Sequence, residues 1–309
     1  MREVLGRWTQ RGLKGSLLFF NYNTMNIIKK YQDYCTKKGI EFKLDNSVKS
    51  YDSSTLFCPA GMQQYKDLFK DENYTGTEAN IQSCIRMNDF AEVGDATHLL
   101  YFNMMGLFSF RKMGIGQAII FWIEFIEKEL GLKIGHVTVH PDKGTDLSWI
   151  GYYTRYGIPI KDDSECIWTD GEIGGYCTEF YIDDVEIGNI VNPLDTCIDV
   201  GFGLERLDMF VNGTKSPSKD QSISNTIMKI IEAGYIPSNL KQGYVLRKLL
   251  RELNKQGGNI DHPFFVQEIE RQAKITEKYN RLKDKYKDKP KEWWFDTHGI
   301  DINEIEEAA

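Results

Sequence analysis

The 309-residue sequence lacks several features that mark specialised classes of protein. It contains no apolar run near the roughly 20 residues that a membrane-spanning helix requires, and its mean hydropathy is −0.43. Its six cysteines form no CxxC pair and no dense disulfide framework, and its N-terminus lacks the apolar core of a signal peptide. These absences predict a cytoplasmic protein without membrane association and with reduced thiols. The length leaves room for about two domains.

The net charge of −7 conceals an uneven distribution of charge along the chain. Residues 241 to 291 hold 14 Lys plus Arg against 7 Asp plus Glu, whereas residues 292 to 309 hold 6 acids and no Lys or Arg. A basic segment on an acidic body is typical of an enzyme with a polyanion-binding appendage. A solvated helix face produces the same balance, so charge alone leaves both interpretations open.

Hydrophobic periodicity up to residue 212 alternates between helical and extended spacing, which predicts a mixed α/β domain over residues 1–212. Turn-forming residues then predict a linker over residues 213–222. Beyond it, apolar residues at helical spacing predict an all-helical domain over residues 223–309, with Ser222 as the cap of its first helix.

The strongest local signal is the run Gly201-Phe202-Gly203-Leu204-Glu205-Arg206, which follows Asp199 and an apolar, strand-like approach. Glycines let the backbone come close to a ligand, and an arginine on the first turn of a following helix can hold a phosphate. We therefore expect a Gly-rich turn that enters a helix at Gly201. Taken alone, such a turn with an ion-paired Glu-Arg also serves as a purely structural element in many folds.

Several other motifs follow the order and spacing of one family. They are Ala60-Gly61-Met62 within residues 56–69, Cys84-Ile85-Arg86 with Asn88-Asp89 and His98, the run 104–110, Cys177-Thr178-Glu179, Asn189-Ile190-Val191, Pro237-Ser238-Asn239, and Phe295-Asp296-Thr297-His298-Gly299. With residues 201–206, they resemble the class II aminoacyl-tRNA synthetases, and among those the alanyl-tRNA synthetases. The resemblance runs from about residue 20 to the end of the chain. It implies an antiparallel sheet flanked by helices, followed by an all-helical domain that recognises the tRNA acceptor stem.

The same resemblance implies ATP- and Mg²⁺-dependent activation of alanine and its transfer to tRNA. As catalytic residues, Arg86 would hold the α-phosphate and the amino-acid carboxylate, and Arg206 would hold the γ-phosphate. The implied ATP site also includes Asp89, His98, Phe108 and Gly203. The implied amino-acid site comprises Met62, Asn189, Asp199 and Gly201, with Asp199 accepting the substrate ammonium.

The tRNA site implied by the resemblance contains Asn239 and Asp296, at positions that read a G·U pair in the acceptor stem. The sequence itself adds Arg247, Arg251 and Lys255, whose four-residue spacing predicts an exposed cationic stripe on one helix. The chain is expected to act as a monomer, with an oligomer left open, and to end before an editing domain or a C-terminal oligomerisation domain.

The sequence departs from the family pattern around the implied pocket. The loop after Arg86 is short and lacks the family's lysine, Asn103 stands in place of a glutamate, and Gly188 stands in place of a tryptophan for which Trp168 is a candidate substitute. A missing indole beside the pocket predicts weaker discrimination against amino acids larger than alanine. Two rival functions remain: an amino-acid ligase with an acceptor other than tRNA, and a tRNA-binding paralogue without activation chemistry.

His136 and His140 have the HxxxH spacing of zinc ligands, but β-branched residues between them indicate a strand. We therefore predict that they are structural, and the sequence predicts no metal-ligand set.

Overall fold

The structure is a computed structural model that describes residues 22–95 and 97–308. The first 21 residues of the predicted first domain, and with them the expectation about a signal peptide, lie outside the described residues. The chain forms two compact units, with the division between Ser216 and Pro217. No helix in the described part of the chain is both long and apolar enough to cross a bilayer.

The first unit is built on a sheet that has nine strands in the described residues. They are β1 Glu41–Asp45, β2 Gly76–Ile85, β3 Tyr101–Phe110, β4 His136–Val139, β5 Ile160–Asp162, β6 Ile167–Thr169, β7 Gly174–Ile182, β8 Val185–Val191 and β9 Cys197–Gly203. The order is β1-β2-β3-β9-β8-β7-β4-β5, and β6 pairs with the start of β7. Only the β1–β2 and β4–β5 pairs among these are parallel. The predicted antiparallel sheet is thus confirmed.

Helices of the first unit pack against the sheet. They are α1 Tyr22–Lys37, α2 Lys66–Lys70, α3 Ile115–Glu124, α4 Leu147–Tyr156 and α5 Leu204–Asn212. In β9 the period-two alternation of side chains sends Ile198, Val200 and Phe202 into the main hydrophobic core, where Phe202 stacks on Trp122 with ring centroids 4.0 Å apart. The alternate residues, including Asp199, therefore lie on the opposite face of the sheet, next to the site described below.

The second unit is all-helical in its described residues, as predicted. Its helices are α6 Lys219–Glu232, α7 Lys241–Lys255, α8 Pro263–Leu282, α9 Lys291–His298 and α10 Ile302–Ala308. The prediction that Ser222 caps the first of them is wrong, because Ser222 is buried within α6. The cap position belongs to Ser218, whose backbone N–H donates to Gln221 Oε1 at 3.1 Å. The helix consequently includes the last residues of the predicted linker.

Candidate active site

A pocket opens on the face of the sheet opposite the main core, beside β2, β3, β8 and β9 and the start of α5. Its lining brings together seven residues predicted for the nucleotide and amino-acid sites: Arg86, Asp89, His98, Asn189, Gly201, Gly203 and Arg206. It also includes side chains to which sequence reasoning assigned no role, among them Met104, Glu186 and Glu205. The pocket thus collects residues from positions more than a hundred apart in the chain.

The glycines of the strongest motif do not form a turn, as was expected. They belong to the end of β9, and α5 begins at Leu204, directly after Gly203. A Cβ on Gly203 would lie 3.3 Å from Cγ and Cδ of Arg206, and one on Gly201 would lie 2.9 Å from Met104 Sδ. The two glycines therefore make room for neighbouring side chains of the pocket, and Arg206 lies on the first turn of its helix as predicted.

Each arginine of the pocket is held by one edge of its guanidinium group. Arg206 Nη1 donates to the Glu186 carbonyl at 2.7 Å and to Glu186 Oε2 at 3.0 Å. Arg86 Nε donates to the Pro59 carbonyl at 2.9 Å, and its guanidinium carbon lies 5.1 Å from the centroid of the Phe102 ring. Anchoring through one edge fixes the side chain and leaves other N–H groups of the fork to bind an anion.

Asp199 is a buried acid whose side chain is only 9% exposed. Burial raises its pKa to about 7, and the negative charge of Asp170 adds to this effect while Arg86 opposes it. Asp170 is held by an ion pair with Lys66 at 2.9 Å. No hydrogen-bond donor contacts the Asp199 carboxylate among the described residues, and a buried acid with a raised pKa is typical of functional sites.

Glu205 is a partly buried carboxylate in the pocket wall, and it explains the departure at Asn103. Both Glu205 oxygens accept from the Asn103 backbone N–H at 3.0 Å, and Asn103 Nδ2 donates to Oε1 at 2.7 Å. Burial raises the pKa of Glu205 to about 7 despite these bonds. An amide at position 103 donates to this carboxylate, whereas an ionised glutamate there has no proton to give.

His98 reaches the pocket from the loop between β2 and β3. Its Nδ1 lies 2.6 Å from Asp95 Oδ2, and its backbone N–H donates to Asp95 Oδ1 at 2.7 Å. Asp95 thereby orients the imidazole with the other ring nitrogen, Nε2, directed away from this contact.

Three of the residues predicted for the nucleotide and amino-acid sites are not part of the pocket lining: Asp199, Phe108 and Met62. Phe108 is fully buried and packs on Tyr65 with ring centroids 4.7 Å apart, and Met62 is 3% exposed in the same cluster. The Phe108 ring lies across Gly106, where an added Cβ would be 2.4 Å from the ring. Phe108 therefore does not line the pocket and its contact with ATP stays a prediction, and Met62 is a core residue of the same cluster.

Gly188 lines the pocket, but the tryptophan that it replaces leaves no open slot. A Cβ on Gly188 would lie 2.5 Å from the Gly201 carbonyl oxygen and 2.5 Å from Phe202 Cγ. Because β8 and β9 approach this closely, no side chain fits at position 188 without a shift of the backbone. Trp168 is half-buried and packs beside Met62, Phe108 and Ile173 instead.

The predicted cationic stripe on α7 is wrong for two of its three residues. Arg247 and Arg251 are 6% and 7% exposed, and they pair with Glu268 and Glu304 of neighbouring helices at 3.0 to 3.4 Å. The four-residue spacing places both arginines on the face that packs against α8 and α10, where the acids neutralise them. Lys255 is exposed as expected, and so are Asn239 and Asp296.

His136 and His140 lie at the two ends of β4, as the strand prediction requires. The His136 ring stacks on Tyr181 with centroids 4.6 Å apart, and His140 Nδ1 accepts from the Asp142 backbone N–H at 3.1 Å. Both histidines are thus engaged in local packing.

Comparison with known proteins places this geometry in a family. The family model described as tRNA synthetases class II (A) matches residues 26–205, which is more than half of the chain. The chain therefore belongs to the class II tRNA synthetase family, and its matched segment contains Arg86, Asp199 and almost all of the pocket.

Among curated proteins, the chain is similar to alanine–tRNA ligases. It is 28% identical to that of Buchnera aphidicola subsp. Baizongia pistaciae strain Bp, with 77% of this chain and 37% of that protein covered. It is 25% identical to that of Francisella tularensis subsp. tularensis strain WY96-3418, with 85% of this chain and 39% of that protein covered. The chain thus spans about two fifths of the length of the curated relatives it matches.

The solved structures found by comparison are more distant in sequence. Pyrrolysyl-tRNA synthetase from Desulfitobacterium hafniense is 13% identical, with a TM-score of 0.39 over 69% of this chain and 79% of that chain. Histidyl-tRNA synthetase from S. aureus is 12% identical, with a TM-score of 0.43 over 63% of this chain and 68% of that chain.

Proposed function

We propose that this chain activates an amino acid with ATP, with alanine as the first candidate, and transfers it to the acceptor end of a tRNA. The observation that carries the proposal is the meeting of Arg86 and Arg206 in one pocket of a class II synthetase fold, from segments 120 residues apart. Two anchored guanidinium groups suit a substrate with several phosphates.

The reaction that fits these groups is attack of the amino-acid carboxylate on the α-phosphorus of ATP. A carboxylate oxygen bonds to that phosphorus as the bond to the β-phosphate oxygen breaks, and pyrophosphate leaves. Arg86 stabilises the charge that develops at the α-phosphate, and Arg206 holds the departing phosphates. Catalysis of this kind depends on positioning and electrostatics more than on proton transfer.

Magnesium fits the donor set of the pocket. Mg²⁺ prefers oxygen ligands, and the carboxylates of Asp89, Glu186 and Glu205 line the pocket. Asp89 would hold the ion together with the second carboxylate oxygen of Glu186, because Glu205 is engaged by Asn103 and Glu186 Oε2 by Arg206. When bound, the ion neutralises charge on the phosphates.

Asp199 is proposed to receive the substrate ammonium, with Asn189 beside it. The strand register pairs Asp199 with Val191 and Asn189 with Gly201. The side chains of Asp199 and Asn189 therefore lie on the same face of the sheet, on neighbouring strands and two residues apart along them. Met104 fills the space over Gly201 and limits the room for a substrate side chain. Together with the alanine–tRNA ligase relatives, this restricted space supports alanine as the substrate.

Amino-acid-dependent exchange between ATP and pyrophosphate, run over a panel of amino acids without tRNA, tests the activation step. We expect alanine to give the fastest exchange, with serine and glycine as weaker substrates. Exchange that is absent for every amino acid would refute activation and leave the tRNA-binding paralogue.

Transfer to tRNA is tested separately by Asn239→Ala and Asp296→Ala. Both residues are exposed in the second unit, and we expect each change to reduce aminoacylation of an acceptor-stem RNA by about tenfold to a hundredfold, because a base edge loses its hydrogen-bond partner. Alanine-dependent exchange should stay unchanged. Asn254→Ala and Asp284→Ala, at exposed positions in the same unit, are the matched controls.

A ligase with a non-tRNA acceptor is the second candidate function. The observation that favours it is the burial of Arg247 and Arg251, because two cations that had supported an RNA-binding surface instead pair with acids of their own unit. Exchange with alanine in a protein that charges no tRNA would favour this candidate over a tRNA ligase.

A further inference from the structure

Cys166, Cys177 and Glu179 form a cluster of potential metal ligands that the proposed chemistry does not use. Their ligand atoms all lie within 4.8 Å of one another. Cys166 and Cys177 are buried, and Glu179 is half-buried. From this geometry we propose a binding site for a thiophilic divalent cation, with Zn²⁺ as the reference ion, built from two thiolates and one carboxylate.

The sheet topology explains why these residues meet. Along one edge of β7, the partner changes from β6 to β4: β6 pairs with residues 174–176, and β4 pairs with residues 178–181. Cys166 directly precedes β6 and its carbonyl accepts from the Cys177 backbone N–H at 2.9 Å. Cys177 and Glu179, two residues apart on β7, point to the same face. The cluster therefore lies at the junction of three strands, on backbone that does not need to refold to hold an ion.

The spacing of the ligand atoms suits a tetrahedral ion. Zn–S bonds of about 2.3 Å at tetrahedral angles place two sulfurs about 3.8 Å apart, which is about 1 Å shorter than the 4.8 Å upper limit of the observed spacing. Small side-chain rotations are therefore sufficient to close the set around one ion. Two thiolates and a carboxylate carry three negative charges, and Asp163 and Glu186 add negative charge nearby.

A supporting layer of hydroxyl groups already orients the ligands. Thr138 Oγ1 accepts from Cys166 Sγ at 3.1 Å and donates to Glu179 Oε2 at 3.2 Å, while the Tyr181 hydroxyl donates to the same oxygen at 2.6 Å. When a metal displaces the Cys166 proton to solvent, Thr138 Oγ1 no longer accepts from the thiol, so its oxygen is available as a fourth ligand while its proton stays in the hydrogen bond to Glu179. Outer groups of this kind fix the ligands of metal sites and raise their affinity.

The cluster lies on the same sheet face as the amino-acid end of the pocket. In register, Cys177 is opposite Val191, which is opposite Asp199, and Glu179 is opposite Asn189, which is opposite Gly201. An ion at the cluster is thus two strands from Asp199, about 10 Å away. It would brace this wall of the pocket without contacting the substrate.

The test uses the full chain, reduced, stripped of metal and titrated with Zn²⁺ and with Co²⁺. We expect one equivalent to bind, Co²⁺ to show thiolate-to-metal charge-transfer absorption, and Zn²⁺ to raise the melting temperature. Cys166→Ser and Cys177→Ser should each reduce Zn²⁺ affinity by about a hundredfold or more and abolish the charge-transfer band or halve it. Thr138→Val should reduce Zn²⁺ affinity by about tenfold.

The control is Cys35→Ser, which changes a third buried cysteine in the same unit but outside the cluster, and should retain one equivalent with the full charge-transfer band. If the cysteine variants fail to fold, Glu179→Gln still tests the site, because it keeps both thiols and should weaken Zn²⁺ binding by about a hundredfold. A reduced wild-type chain that binds no Zn²⁺, binding without a charge-transfer band, or affinity that is unchanged in Glu179→Gln would each overturn the proposal.

Discussion

The two units differ in whether their buried charged side chains form ion pairs. In the second unit, Arg247 and Arg251 meet Glu268 and Glu304 at 3.0 to 3.4 Å, so burial is matched by opposite charge. In the first unit, neither the buried Asp199 nor the partly buried Glu205 of the pocket wall forms an ion pair with another described residue, and the pKa of each is raised to about 7. Paired buried charges serve the fold, whereas buried charge without a partner is costly and marks a place where a ligand supplies one.

The largest effect on stability is expected from Arg251→Ala in the second unit. The change leaves Glu268 and Glu304 short of a buried counter-charge, so the free energy of unfolding of this unit should fall by about 3–5 kcal/mol. Urea denaturation measures it, and Lys255→Ala, exposed on the same helix, should stay within about 0.5 kcal/mol of wild type. Equal free energies of unfolding for the two variants would show that the ion pairs of Arg251 with Glu268 and Glu304 do not stabilise this unit.

Substitution of the pocket arginines should have the reverse effect, with a large loss of activity and little change in stability. Arg86→Ala and Arg206→Ala are each expected to slow alanine-dependent pyrophosphate exchange by about 10²–10³-fold, because a phosphate loses its charged donor. The free energy of unfolding should change by no more than about 1 kcal/mol, since both side chains are only partly buried. Arg155→Ala, an exposed arginine on α4, is the activity control. Exchange at the wild-type rate in both pocket variants would show that the active site does not lie in this pocket.

A smaller effect on stability is expected at Gly188, where the pocket wall is formed by closely packed backbone and carries no charged side chain. Gly188→Ala should lower the free energy of unfolding by about 1–3 kcal/mol, because the new Cβ meets the Gly201 carbonyl. It should not sharpen the preference for alanine over serine. Gly151→Ala, on helix α4 with only Leu147 nearby at 3.9 Å, should be neutral or stabilising. Sharper selectivity in Gly188→Ala would restore the earlier interpretation of an open slot.

Periodicity in the sequence predicts the mixed α/β first unit and the helical second unit, and the resemblance to the synthetase family implies the antiparallel sheet and most of the pocket. Prediction from the sequence fails where distant residues decide the outcome. Spacing shows that Arg247 and Arg251 share a helix face, but the acids that bury them lie 17 to 57 residues away on α8 and α10. In the same way, the close approach of β8 and β9 at Gly188 is a property of strand pairing.

The Cys166, Cys177 and Glu179 cluster illustrates the same limit. Ten residues separate the two cysteines, which matches no familiar ligand spacing, and only the register of β6 with β7 brings them together. Glu205 was within the strongest motif, yet its partner Asn103 appeared only as a departure from the family pattern. The structure shows the physical reason for that departure, because Asn103 Nδ2 donates a hydrogen bond to Glu205.

The most direct test of the account is the pH dependence of the alanine KM in wild type and in Asp199→Asn. Because burial raises the Asp199 pKa to about 7, the carboxyl is neutral below pH 7 and ionised above it, while the ammonium of alanine stays charged throughout. The wild-type KM should therefore fall about tenfold from pH 6 to pH 8.

In Asp199→Asn, the alanine KM should be high and independent of pH, with the ATP KM little changed. The free Asp199→Asn protein at pH 8 should gain up to about 4 kcal/mol in free energy of unfolding, because a raised acid pKa costs the folded state stability as pH rises from about 4 to 7. Glu205 titrates in the same range but is present in both proteins, so the comparison isolates Asp199. A wild-type alanine KM that does not vary with pH and is matched by Asp199→Asn would contradict the account.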